Sequence, residues 1–511
     1  MFKKSKYLVI AMCLLAVLML CGCTKQLELS AGKFPEDSVE ISAIVQPGDL
    51  ALMDGFYQLN SADFSGSRCY DDIVAWANAH PNINVKYSVA LPDGQEVSFD
   101  VKKLDLSSMD SGNLEETKAL FSYMPAVEEI KLPDGISIEE LEAVLAACPD
   151  AKLKFNAVVG GINIGDDTNK LDLRHITSAD LDELMCWLPY ISSVEEIELG
   201  EEDGRLTWDN VSAIAAACPD AVMNYSFELY GKSFKLTDTE MNLYRIPIDD
   251  EGALVKQVTA CMKNLEYLDM DSCGVSSEAM AEIRDSLPDT KVVWRVWFGE
   301  RYSVRTDVEK ILASNPGMGG ELLRENVGEL KYCTEVKYLD VGHNNYLNDV
   351  SFVGYMPKLE VAILAMDCWN DISGLANCPN LEYLEIQTSP LNDLRPLAEL
   401  KNLKHLNISF CMALTDMTPI YNLTQLERLW ISKYTPIPKE QVEEFRRLAP
   451  ECIVNDTVLD PTEGGWRRSP GEFGFNVDHP RYKLLTEQFG YAKGNEAYAY
   501  YYNDPLCPSP K

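Results

Sequence analysis

Chemistry in this sequence would have to come from few side chains. His80, His175, His343, His405 and His479 are scattered over 511 residues, which leaves little for imidazole acid–base or metal sites. The run Asp269-Met-Asp271-Ser-Cys-Gly274 imitates the start of a calcium-binding loop. Its twelfth position is Met280, where a bidentate glutamate is needed, so it reads as a repeat turn. The pairs Glu128/Glu129 and Glu195/Glu196 read as a solvated rim rather than a general acid and base. No H-E-x-x-H, G-x-S-x-G, phosphate-loop or G-x-G-x-x-G motif occurs, so no enzyme activity, catalytic residue, metal or cofactor is expected. With 45 Lys+Arg against 80 Asp+Glu, the net charge of −35 works against nucleic-acid partners, whose phosphates need clustered cations.

The one reactive group with a defined setting is Cys23. Lys3, Lys4 and Lys6 precede an apolar run of 14 residues at 7–20. That run falls short of the ~20 residues of a bilayer-spanning helix and suits a signal peptide. Leu20-Cys21-Gly22-Cys23 resembles the bacterial lipobox. The resemblance implies cleavage after residue 22, a diacylglyceryl group on the Cys23 thiol, and an extracytoplasmic protein anchored to the cell membrane. Residues 23–38 read as a tether.

The elements that would position a binding surface are repeats. VKYLDVGHN, LEVAILAMD, LEYLEIQTS, LKHLNISFC and LERLWISKY begin at Val336, Leu359, Leu381, Leu403 and Leu426, spaced by 23, 22, 22 and 23 residues. Apolar residues fill the first, fourth and sixth places of each. Asn344 and Cys411 fill the ninth, whereas Asp367, Ser389 and Tyr434 depart there. The block at 336–455 is similar to the internalin-type class of leucine-rich repeats, and the chain resembles a bacterial leucine-rich-repeat surface lipoprotein. Between strands, Asp349-Val350, Asp371-Ile372, Asp393-Leu394 and Asp416-Met417 begin returns too short for full helices.

Upstream, Pro81, Pro149, Pro219 and Pro288 end similar phrases 68, 70 and 69 residues apart, three coils per unit. KKLDL, NKLDL and MNLYR mark one strand of the unit, and AVEEIKL, SVEEIEL and NLEYLDM another. Residues 137–148, 177–188 and 276–287 keep helical spacing, with Ser137/Glu140 and Thr177/Asp180 as capping boxes. The expectation is an α/β solenoid with a single parallel concave sheet, helices on its convex side upstream and short returns downstream. Its divisions would be a signal peptide (1–22), the tether (23–38), an N-terminal cap with helix-containing repeats (39–335), regular repeats (336–455) and an aromatic C-terminal cap (456–511).

In such a solenoid the third, fifth, seventh and eighth places face outward, and the third, fifth and eighth columns are the informative ones. They hold Tyr338, Val361, Tyr383, His405 and Arg428; Asp340, Ile363, Glu385, Asn407 and Trp430; and His343, Met366, Thr388, Phe410 and Lys433. Aromatic and Met enrichment on an open face suits a protein or peptide partner. The binding set is Tyr338, Asp340, His343, Val361, Ile363, Met366, Tyr383, Glu385, His405, Asn407, Phe410, Arg428 and Trp430. An envelope scaffold is the alternative, with a glycan-binding or enzymatic role for the aromatic tail behind it. Repetitive placement of Cys148, Cys218, Cys273, Cys378 and Cys411 points to buried thiols rather than a disulfide framework.

Overall fold

The structure is a computed structural model that describes residues 25–299, 302–314, 322–344, 347–470 and 476–490. The signal peptide, Cys23 and the aromatic run at 497–504 lie outside the described residues. The chain divides into two compact units, one ending at Phe227 and the other starting at Glu228.

In the first unit, strands recur in parallel threes. Glu40–Ser42, Ser61–Asp63 and Asn84–Lys86 pair with Ile41, Ala62 and Val85 in register. Lys103–Asp105, Glu129–Asp134 and Lys152–Val159 align Leu104, Ile130 and Leu153. Lys170–Asp172, Glu196–Glu201 and Val222–Leu229 align Leu171, Ile197 and Met223. The alternation of these segments turns one side chain in two inward, and Ala62, Ile130, Leu171 and Ile197 are fully buried. Helices Ile138–Ala147 and Trp208–Ala217 connect strands, opened by capping boxes at Ser137/Glu140 and Thr207/Asn210. The helix expected from 177 starts later, at Leu181–Trp187, because Thr177 closes a local turn on the Asp180 carboxylate instead.

Two expectations need correction. The parallel ladder is not one continuous sheet. After their third strands, chain returns as antiparallel hairpins at Ser88–Ala90/Glu96–Ser98, Lys152–Val159/Ile162–Gly165 and, in the second unit, Arg295–Trp297/Ser303–Arg305. Gly160 and Gly161, at φ +54° and +82°, make the second return, a two-residue turn with both residues left-handed. The tether is also shorter than expected. Gln26–Leu29 and Gly32–Pro35 pair antiparallel, with Leu29 buried and Ser30 N–H donating to Asp49 at 2.8 Å.

In the second unit a three-stranded parallel sheet (Glu240–Asn242, Tyr267–Asp269, Lys291–Val293) precedes a longer one. Among the described residues the longer sheet has seven strands, Lys310–Leu312, Tyr338–Asp340, Val361–Ile363, Tyr383–Glu385, His405–Asn407, Arg428–Ser432 and Ile453–Val458, all parallel. Their centres are in register, and Leu339, Ala362, Leu384, Leu406 and Leu429 are fully buried. From Tyr338–Asp340 to Arg428–Ser432 the 22–23-residue offsets between partners reproduce the spacing of the repeats, and this is a leucine-rich-repeat solenoid fold. The returns are 3-10 turns at Ser351–Tyr355, Ser373–Asn377, Arg395–Leu397 and Thr418–Ile420. Each starts where an aspartate accepts the N–H two residues on: Asp349, Asp371, Asp393 and Asp416, at 2.7 to 2.9 Å.

Candidate binding face

The third and fifth places of the repeats stand on the side of the seven-stranded sheet opposite its leucine core. They are not open to water. Val361, Tyr383, Glu385 and Asn407 are fully buried, and Ile363, Arg428, Trp430, Asp340 and His405 nearly so; Tyr338 is half-buried. The expected exposed binding set is therefore corrected at these positions. What covers them is the chain itself.

After the strand Ile453–Val458, residues 459–470 and the helix Pro480–Phe489 lie across the face as a strap. Trp466, Leu485 and Phe489 join Leu312, Val361, Ile363, Ala365, Tyr383 and Trp430 in one apolar cluster, with Tyr338 and Tyr482 at its margin. The Trp466 ring lies 5.2 Å from Tyr383 and 5.4 Å from Trp430.

Glu385 is the polar centre. Its carboxylate accepts from Trp466 Nε1 at 2.7 Å, from Arg467 Nε at 3.0 Å, from a second Arg467 nitrogen, from the Tyr383 hydroxyl and from Gln387 Nε2 at 3.1 Å. Burial pushes its pKa up, but the Arg467 charge and these donors outweigh that and hold it below the ordinary carboxylate value. The Tyr383 hydroxyl is pushed well up by burial and the adjacent carboxylate. Burial, then the neighbouring Arg428 charge, brings His405 down to about 3, so its neutral Nδ1 accepts from Arg428 Nε at 3.2 Å.

Other face residues reach the strap's backbone. Asn407 Nδ2 donates to Pro461 O at 2.8 Å and Trp430 Nε1 to Glu463 O at 3.1 Å. One Arg428 nitrogen donates to Gly465 O at 3.0 Å and Trp466 O at 2.9 Å, and Lys310 Nζ donates to Gln488 O at 2.8 Å. The Arg428 guanidinium also lies 4.7 Å from the Trp466 ring centre.

The eighth places behave differently. His343, Met366, Thr388 and Phe410 all sit at φ +60° to +64°, held there as His343, Met366 and Thr388 N–H groups donate to Ala365, Gln387 and Ser409 carbonyls and Phe410 N–H to Ser432 Oγ. This puts their side chains along the rim. His343, Met366 and Thr388 are exposed and Phe410 half-buried beside the exposed Tyr434, 5.6 Å between rings. Trp466, Arg467, Tyr482, Leu485, Phe489 and Lys310 are the site residues that the repeat pattern does not reveal. The signal that could have found them is a pairing of opposites: buried acids in the fifth column against the arginines of GGWRRSP.

The calcium-loop imitation is answered by arginines. Asp271 is fully buried against Arg295 (3.0 Å) and Arg305 (3.1 Å), and Asp269 meets Arg305 at 3.3 Å. Both arginines come from the hairpin Arg295–Trp297/Ser303–Arg305. A cleft of about 670 Å³ beside Arg284, Lys291, Trp294 and Asp307 has no His, Ser or Cys in its lining. Cys273, Cys378 and Cys411 are buried thiols, each donating to a carbonyl of the preceding repeat (Leu243, Val353, Ile386) at 3.0, 3.2 and 3.4 Å. Burial pushes their pKa values up to about 11, 12 and 12.

No protein-family model matches the chain, and no curated protein sequence matches it. Among solved structures, an internalin (inlF) from Listeria monocytogenes is 17% identical over 72% of this chain and 86% of its own, with a TM-score of 0.24. The leucine-rich-repeat protein LIC12759 of Leptospira interrogans is 14% identical over 78% and 91%, TM-score 0.24. The functional domain of Listeria monocytogenes InlJ, which includes a cysteine ladder, is 10% identical over 73% and 68%, TM-score 0.21. At these values the fold rests on the spacing and register described above.

Proposed function

We propose that this chain is a non-enzymatic, lipid-anchored, extracytoplasmic leucine-rich-repeat protein that binds a protein or peptide partner at its seven-stranded sheet. The observation that carries this reading is the chemistry of the covered face. Asn407, Arg428, Trp430 and Lys310 donate to main-chain carbonyls of another segment, acceptors that any docked polypeptide backbone supplies. The rim residues His343, Met366 and Phe410 are the part of the expected set a partner meets first.

The anchor is tested by replacing Cys23 with Ala. The protein should lose lipid labelling and move from the membrane to the soluble fraction; unchanged labelling ends that part of the reading. Binding is tested by a photo-crosslinking residue at Met366 or Phe410 in cells. Adducts to a defined polypeptide support the proposal, and adducts to lipid or glycan alone refute it.

A further inference from the structure

The strap is held by its side of the sheet in a manner unlike a core element. It adds no strand: Arg468–Pro470 and Asn476–Asp478 pair only with each other, and all seven strands of the sheet complete their ladder without it. Its attachments are instead those of a bound peptide. Backbone carbonyls at 461, 463, 465, 466 and 488 meet side-chain donors of the sheet. Two consecutive side chains, Trp466 and Arg467, enter the pocket that Tyr383, Glu385 and Trp430 line.

From this geometry we infer that the strap, residues 459–470 with the segment 476–490, is a displaceable internal ligand, and that the face takes from its partner a polypeptide presenting an aromatic residue followed by arginine, docked at Glu385. This rests on the partner-binding reading above and adds what the partner must offer and what it must remove. The aromatic ring supplies the apolar contact between Tyr383 and Trp430. The guanidinium supplies the charge without which Glu385 stands buried and unpaired. A lysine-bearing segment could match the charge but not the two-nitrogen contact. Because the strap is tethered, its effective concentration is of order millimolar, so a free competitor binds poorly until the strap is weakened or outnumbered.

The test uses the full chain and a fluorescent synthetic peptide spanning residues 459–490. The wild type should bind it weakly. Trp466→Ala with Arg467→Ala in the chain should release the strap and raise peptide affinity at least tenfold, while backbone hydrogen exchange in 336–432 stays slow. Adding Glu385→Gln should take back at least tenfold, and a peptide carrying both alanines should not bind. A second measurement covers a variant that folds poorly: a protease site placed after the exposed Leu459, cut in the otherwise native chain, followed by dilution. Dissociation of the strap with the ladder still protected supports the inference. Unfolding of the ladder on release, or an intact ladder that does not rebind the peptide, overturns it. If the peptide binds as expected but crosslinking finds no polypeptide partner in cells, the strap inference stands and the functional reading falls.

Discussion

Glu385 keeps its charge in a place water does not reach, and everything around it is arranged to make that tolerable. The carboxylate has five donors, two of them from one guanidinium, and no exposed surface. Removing one member of such a pair leaves the other buried and uncompensated, which costs about 3–5 kcal/mol. Arg467→Ala or Glu385→Ala should therefore weaken the docking of the strap on the sheet by that order, read as faster amide exchange in 459–470, and replacing both together should cost less than the sum. Because the folded pKa of Glu385 is lowered, the stability it contributes is present above the ordinary carboxylate value and lost as pH falls through the folded one. Asp367 has the opposite sign. Burial, only partly countered by the Asn344 N–H that donates to its Oδ1, raises it to about 9, and its Oδ2 has no partner among the described residues. Its contribution is present in full below the unfolded value and lost as pH rises toward 9. Asp367→Asn should remove that alkaline slope, making the variant more stable than the wild type at pH 8 and similar to it near pH 4 in denaturant titrations. The departure of Asp367 from the ninth-place pattern was legible in the sequence; its cause was not. One repeat earlier, Asn344 Nδ2 reaches the Val341 carbonyl at 2.5 Å, whereas here the equivalent Leu364 carbonyl accepts Trp369 Nε1 at 2.7 Å. Only three-dimensional placement shows that a tryptophan has taken over the asparagine's task.

At the level of elements, the regular coils could be read directly because each strand's alternation and each return's aspartate are local signals. Asp371 accepts the Ser373 N–H at 2.8 Å, and the same contact opens the neighbouring returns. Asp371→Ala should cost about 0.5–2 kcal/mol, the range for losing a helix cap, and should speed amide exchange in Ser373–Asn377 before it affects the strands. The hairpins were missed although one carried a plain signal. VVGGIN at 158–163 is two glycines between alternating apolar segments, a two-residue turn by composition. The expectation of unbroken parallel stacking overrode it. The helix at Leu181–Trp187 is another such case: Thr177 and Asp180 do bond, but as a turn before the helix rather than as its cap.

For the whole chain, the repeat fold was legible and the occupied face was not. Glu385 and Arg467 are 82 residues apart, and nothing in either segment alone says that they meet. The tail's aromatic and basic character marked it as a cap, yet the surface it covers is the one that the repeat pattern offered for binding. Truncation after Leu459 should uncover Val361, Ile363, Tyr383 and Trp430 together. The shortened protein should then bind an apolar dye such as ANS and self-associate at concentrations where the full chain does neither; a dye-silent monomer would contradict the placement of the strap.

The glycine pair that turns the third parallel strand of the sheet at 103–165 back on itself has a bearing on how this kind of molecule changes length. A uniform coil can gain or lose one turn and re-stack its neighbours. Here the Asn156–Val159 half of the last strand is already paired with the chain's own return, Ile162–Gly165, so a one-turn deletion within that block removes a strand without bringing a new neighbour to that edge. The tolerated step is a whole block, of the 68 to 70 residues between anchor prolines, while the stretch from Val336 can slip by 22. Deleting a full block should leave a foldable chain, and deleting a third of one should not.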